Sequence, residues 1–293
     1  MIIDAHAHVF RPPDISPRGV DLLAPAQRDA PVEELLSVMA EHGVGGAVLV
    51  PLDQHDDYLR DVLRAHPQRF AAVAVADDSV QGRAHADPID HLKQRREAFG
   101  FHALRTQWLG IPGRPIQESP FFPVLRYLAD EGLCLWTYLV PDQLPLADEL
   151  ARELPALTMV LNHLGFCPHD MRVDSHGRPA FDDPFPDSTR AQLQRLSRRP
   201  KVHVMFSGQY ALSREKAPYT DLNGVVREIA QAFGSSRMLW GSDDPWTRRD
   251  PGYPTLLELP RATFPQASAG ELADILGGTA LRLFPHLRPE KES

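Results

Sequence analysis

Ile2-Ile3-Asp4-Ala5-His6-Ala7-His8-Val9 opens the chain as an apolar run interrupted by polar side chains. With no basic leader in front of it, the run reads directly as a buried strand, and a secretory signal is not expected. Residues two apart on a strand point to one face, so His6 and His8 project together. Similar runs recur at 46–50, 70–76, 101–105, 133–139, 157–163, 202–206 and 238–243. Continuous apolar runs of this kind suit strands covered on both faces, as in parallel sheet.

Between several of these runs the apolar residues return at helical spacing. Helices are expected at 32–39, 58–65, 122–130, 190–196, 222–233 and 271–276. A β–α alternation repeated eight times closes most naturally into a barrel. The expected fold class is therefore α/β, a TIM-like (β/α)8 barrel formed by residues 1–293 as one domain. An open doubly wound sheet is the competing architecture, but no GxGxxG follows an early strand.

Composition fits a globular chain: 293 residues, 43% hydrophobic and 24% charged, with a formal net charge of −8. The acidic balance argues against nucleic acid as a partner, which would call for excess Lys and Arg. A small-molecule substrate, even an anionic one, remains compatible, because a few arginines can invert the field inside a pocket. No apolar run reaches the length of a membrane helix. Two cysteines, Cys134 and Cys167, make no disulfide framework, and a cytoplasmic location is the expectation. Several of the 28 prolines fall in loops, including the stretch 166–187, which would shape a pocket mouth or an oligomer contact.

Three segments carry chemistry. His6 and His8 end the first strand, where two neutral imidazoles can share one Zn²⁺-type cation. Val160-Leu161-Asn162-His163-Leu164-Gly165 places a polar pair at the end of the sixth run, where burial demands partners. Leu239-Trp240-Gly241-Ser242-Asp243-Asp244-Pro245-Trp246 ends the eighth. Asp243 is either a turn carboxylate or, facing inward, a neighbour of the first-strand histidines, since first and eighth strands adjoin in a closed barrel. Asp244 is then its structural companion.

These motifs, His6-Ala7-His8, Asn162-His163-Leu164-Gly165 and Trp240-Gly241-Ser242-Asp243-Asp244-Pro245, resemble those of the amidohydrolase superfamily in its amidohydrolase 2 branch. Ser207-Gly208-Gln209-Tyr210 and Leu276-Gly277-Gly278-Thr279-Ala280 resemble further segments of that branch, so the likeness runs from Ile2 to about Leu283. It implies a distorted barrel with the site at the C-terminal strand ends, and His6, His8, His163 and Asp243 as the metal-binding or water-activating set. Within the branch the chain is most similar to the sugar-lactonase and pyrone-dicarboxylate-lactonase group. The run Leu135-Trp136-Thr137-Tyr138-Leu139 has neither the bridging residue of two-metal members nor the extra histidine of the related decarboxylases. Members of the lactonase group can work without a tightly held ion, so one divalent metal, zinc foremost, is expected but can be dispensable. Asn162 departs from the Asp-His form common before this histidine.

The activity so implied is hydrolysis of a lactone or related carboxylic ester. Asp243 and His163 would be catalytic, with Asp243 taking a proton from water. The histidines, or a metal they hold, would polarise the carbonyl. A metal-dependent decarboxylase on the same fold is the alternative. A non-catalytic binding barrel or a phosphoesterase fits the motifs less well. Arg105 has a fork suited to a substrate carboxylate or hydroxyls, or else forms an exterior salt bridge. Trp108, Tyr138, Tyr210 and Trp246 are either pocket walls or core. Arg248 and Arg249 meet an anionic substrate or solvent. His203 reads as packing, His102 lies off the face of Arg105 by strand parity, and Cys167 has no base to activate it.

Overall fold

The computed structural model describes residues 1–84, 87–173, 175 and 179–288. Eight parallel strands run in sequence order around one sheet. They are β1 (Ile2–Ala7), β2 (Val44–Leu49), β3 (Phe70–Val75), β4 (Ala103–Thr106), β5 (Cys134–Thr137), β6 (Met159–Leu161), β7 (Val202–Phe206) and β8 (Met238–Trp240). At the seam Ala7 bridges Asp244, Asp243 N donates to His6 O at 2.9 Å, and His8 N donates to Asp244 O at 2.7 Å. The sheet is thereby a nearly closed barrel, and the doubly wound alternative is excluded.

One helix follows each strand: α1 (Val32–Glu41), α2 (Asp57–Ala65), α3 (Pro88–Phe99), α4 (Phe122–Asp130), α5 (Leu144–Glu153), α6 (Asp187–Leu196), α7 (Asn223–Phe233) and α8 (Tyr253–Thr263). Three of these, α3, α5 and α8, go beyond the sequence expectation. α3 buries only Leu92 and Phe99, so its apolar stripe is too thin to read, while Asp87 caps its first turn. α5 and α8 carry prolines, Pro145 in the first turn of one, Pro254 and Pro260 in the other, and proline normally reads as a breaker. The helix expected at 271–276 is split into Ala269–Ala273 and a wider turn over Asp274–Gly278. Among the described residues no helix is long and apolar enough to cross a membrane.

The barrel interior is packed solid. Ala5, Ala71 and Ala103 leave room for the fully buried Trp136, and Ala280, Phe284 and Leu287 from the C-terminal segment plug the lower end. His102 sits at that lower end, its ring stacked on His286 at 4.1 Å, far from the role of a pocket residue. His203 is buried on β7, its Nδ1 donating to Lys201 O at 3.2 Å.

One irregularity aims the site. Ile3 and Ala5 face the interior whereas Ala7 belongs to the outer layer, so strict alternation fails between Ala5 and Ala7. The register explains it: Asp4 pairs with Ala47 and Ala7 with Leu49, three steps on β1 against two on β2. This bulge reverses the parity and turns His6 and His8 inward. In the 166–187 stretch Arg172–Val173 pairs antiparallel with Pro179–Ala180, and residues 174 and 176–178 lie outside the described residues.

Candidate metal and catalytic site

The sixth and eighth strands stop earlier than their apolar runs suggest, at Leu161 and Trp240. Beyond them the backbone turns left-handed at His163 (φ 44°) and at Asp243 (φ 61°). A non-glycine residue held there costs of order 1–3 kcal/mol and persists only where its surroundings enforce it. Both turns throw their side chains back over the barrel mouth. Gly208 and Gly241 make room for them. A Cβ at Gly208, itself at φ 81°, would lie 2.8 Å from His163 Cβ, and one at Gly241 would lie 2.7 Å from His6 Cβ.

The structure brings His6, His8, His163 and Asp243 together, all buried. His6 Nε2 and His8 Nε2 are 3.2 Å apart, and Asp243 Oδ1 stands 3.1 Å from His8 Nε2 and 3.5 Å from His6 Nε2. His8 Nδ1 is 2.7 Å from Val50 O, which can only accept, so Nδ1 carries a proton and Nε2 is the nitrogen left to offer a lone pair to a metal. His8 Nε2 and Asp243 Oδ1, both acceptors, thus face each other at 3.1 Å beside His6 Nε2, an arrangement that a shared cation resolves. Tetrahedral zinc with bonds of about 2.0–2.2 Å sets its ligand atoms roughly 3.3–3.6 Å apart. The observed separations of 3.1, 3.2 and 3.5 Å come within about 0.2 Å of that range, and His6, His8 and Asp243 fit one divalent ion with a fourth position open.

His163 stands just outside this trio. Its Nε2 approaches the other carboxylate oxygen, Asp243 Oδ2, at 3.8 Å, while Nδ1 is held by Ser207 Oγ at 2.9 Å. Burial drives the pKa of His6 well below its ordinary value and lowers that of His163, so both rings are neutral near neutral pH. Burial alone would raise the Asp243 carboxyl, but the surrounding imidazoles, His163 foremost, outweigh it and hold the group well below the usual carboxylate range. Asp243 Oδ2 also accepts from Tyr210 OH at 2.7 Å.

The other expected residues divide. Tyr210 touches the carboxylate itself rather than serving as a wall. Tyr138 meets the His163 ring edge-on at 5.6 Å, and the half-buried Arg105 guanidinium lies 5.1 Å from the Tyr138 ring centre, on the pocket side rather than in an exterior salt bridge. Trp246 lies 5.7 Å from the His8 ring. Trp108 instead sits under Arg83, its backbone N–H donating to Thr106 Oγ1. Arg248 is tied to the buried Asp244 at 2.6 Å and to Glu34, so it braces the loop, and Arg249 is exposed. Burial raises the Cys167 thiol to about 12, so no thiolate is on offer.

Two residues went unread. Asp4 was visible within the opening strand but gave no sign of its partners. Arg28, in the loop before α1, stacks over Trp246 at 4.3 Å, and nothing periodic in that loop marks it.

Comparison with known proteins agrees with the barrel fold. The family model for amidohydrolases matches residues 3–286. An L-fucono-1,5-lactonase from Burkholderia ambifaria is 25% identical over 257 residues, covering 84% of this chain and 81% of that protein. Among solved structures, a Pseudomonas putida protein described as a 2-pyrone-4,6-dicarboxylic acid hydrolase superposes with a TM-score of 0.74 at 22% identity, covering 98% of each chain. An amidohydrolase from Burkholderia multivorans with bound zinc superposes at 0.73 with 21% identity, covering 97% of this chain and 99% of that one. The chain belongs to the amidohydrolase family.

Proposed function

We propose that this protein hydrolyses a lactone, with Asp243 as the base that takes a proton from the attacking water. The observation that carries the reading is the convergence of His6 Nε2, His8 Nε2 and Asp243 Oδ1 at separations of 3.1–3.5 Å on the C-terminal mouth of the barrel, where such barrels place their chemistry. The lactonase among its relatives supports the substrate class.

His6, His8 and Asp243 would hold a zinc ion, which when bound supplies Lewis-acid polarisation of the carbonyl. Asp243 remains ionised and keeps Oδ2 toward Tyr210 and His163, so it can accept a proton there and later return it to the leaving alkoxide. Ser207 fixes the His163 ring, and a hydroxyl donating to Nδ1 leaves Nε2–H to hydrogen-bond the carbonyl oxygen. Arg105, beside Tyr138, would receive a carboxylate or hydroxyl of the substrate. Trp246 and Tyr138 close the walls and limit water.

A pH-indicator screen over sugar lactones and carboxylated pyrones tests this, run with zinc-loaded and chelator-stripped enzyme. Proton release that accompanies ring opening supports the reading. Release of CO₂ from an aromatic or unsaturated acid, without ring opening, would replace it with a decarboxylase.

A further inference from the structure

Asp4 is fully buried, and none of its four partners is a cation. Its Oδ1 accepts from Ser242 N at 2.9 Å and from His6 N at 3.2 Å. Its Oδ2 accepts from Ser242 Oγ at 2.5 Å and from Tyr253 OH at 2.8 Å. A buried carboxylate with this many donors is costly to place, and apolar residues would hold a strand seam at less expense.

The positions of the donors show what the carboxylate does. His6 N lies within the β1 bulge that turns His6 and His8 into the barrel. Ser242 immediately precedes Asp243, whose left-handed backbone must be enforced from outside. Ser242 Oγ also accepts from Asp244 N at 3.0 Å, and Ser242 O from Thr247 Oγ1 at 3.0 Å, so the clamp extends through the whole turn. Tyr253 ties α8 to the same oxygen.

We infer that Asp4 is a positioning residue: one carboxylate, bonded to both the His6 bulge and the Asp243 turn, sets the separation between His6 Nε2 and Asp243 Oδ1. The inference rests on the reading of those two side chains as working partners, and its test needs no substrate. Partners that orient metal-binding side chains typically contribute about 10–100-fold in affinity.

The experiment measures zinc binding by chelator competition, thermal unfolding of the zinc-free protein, and crystal structures, for wild type and Asp4→Ala. The expected result is a folded variant whose zinc dissociation constant rises about 10–100-fold, with the His6–Asp243 separation visibly changed. Asp4→Asn, which keeps the shape and one oxygen, should recover part of the affinity. If Asp4→Ala does not fold, Ser242→Ala and Tyr253→Phe each remove one donor to Oδ2, and each should weaken zinc binding. Variants that lose thermal stability yet keep wild-type zinc affinity and the 3.5 Å separation would reduce Asp4 to a structural residue and overturn the inference. A wild-type protein that took up no zinc would count against the metal reading, and the crystallographic separation would then decide the clamp by itself.

Discussion

Tyr210 donates its phenolic proton to Asp243 Oδ2 at 2.7 Å, on the opposite side of the carboxylate from the His6–His8 pair. A hydrogen bond to an ionised acceptor stabilises the charge and fixes the plane of the carboxylate. Tyr210→Phe should therefore lower kcat about tenfold, with little change in KM. A Tyr210→Phe enzyme with wild-type kcat would show that Tyr210 only fills space.

Arg105 faces the pocket beside Tyr138. Replacing it with methionine keeps much of the stem and removes the fork. For a carboxylate-bearing lactone, KM should rise about 10–100-fold, the range of a charge-assisted hydrogen bond of roughly 1.5–3 kcal/mol. A neutral lactone should be affected far less. Equal losses for both would place Arg105 outside substrate recognition.

Gly241 has no space for a methyl group, its Cβ position lying 2.7 Å from His6 Cβ, whereas Gly224 has open space around it. Gly241→Ala should push His6 out of line, cost about 1–3 kcal/mol in stability and reduce turnover at least tenfold. Gly224→Ala serves as the control and should leave turnover alone. The comparison separates a steric effect at the site from any general cost of replacing glycine.

At the lower end of the barrel, burial lowers the His203 pKa from 6.5 to about 4. The unfolded chain takes up this proton as pH falls through 6.5, and the folded chain does so only near 4. The contribution is thus fully present above pH 6.5 and is lost progressively toward pH 4, by on the order of 3 kcal/mol over the window. Urea unfolding of His203→Gln at pH 7 and pH 4.5 should show a smaller stability difference than wild type. An equal difference would assign the acid sensitivity elsewhere.

The strands were legible because a parallel barrel buries both faces of each one, which writes eight apolar runs into the chain. That positions 6, 8, 163 and 243 would converge was legible for the same reason: polar residues stand out at the ends of such runs. What the sequence could not convey was backbone shape. His163 and Asp243 leave their strands in left-handed turns, and nothing in the apolar runs marks where β6 and β8 stop. The bulge in β1 happens to preserve the i, i+2 relation of His6 and His8 while reversing the face on which both lie. Helices α5 and α8 were hidden by their prolines, and α3 by its narrow apolar stripe. The contacts of Tyr210 and Asp4 join positions 33 and 249 residues apart, Tyr210 to Asp243 and Asp4 to Tyr253. Only the folded chain reveals such pairs.

Asp243→Asn gives the most direct measurement, because it removes the negative charge and the basicity while keeping the shape of the side chain. On a lactone that the wild type opens, proton release followed in a pH-stat should fall about 10²–10⁴-fold, the usual worth of a general base, with far-UV circular dichroism unchanged. An Asp243→Asn enzyme that folds and turns over within twofold of wild type would show that the carboxylate at the barrel mouth is not the base.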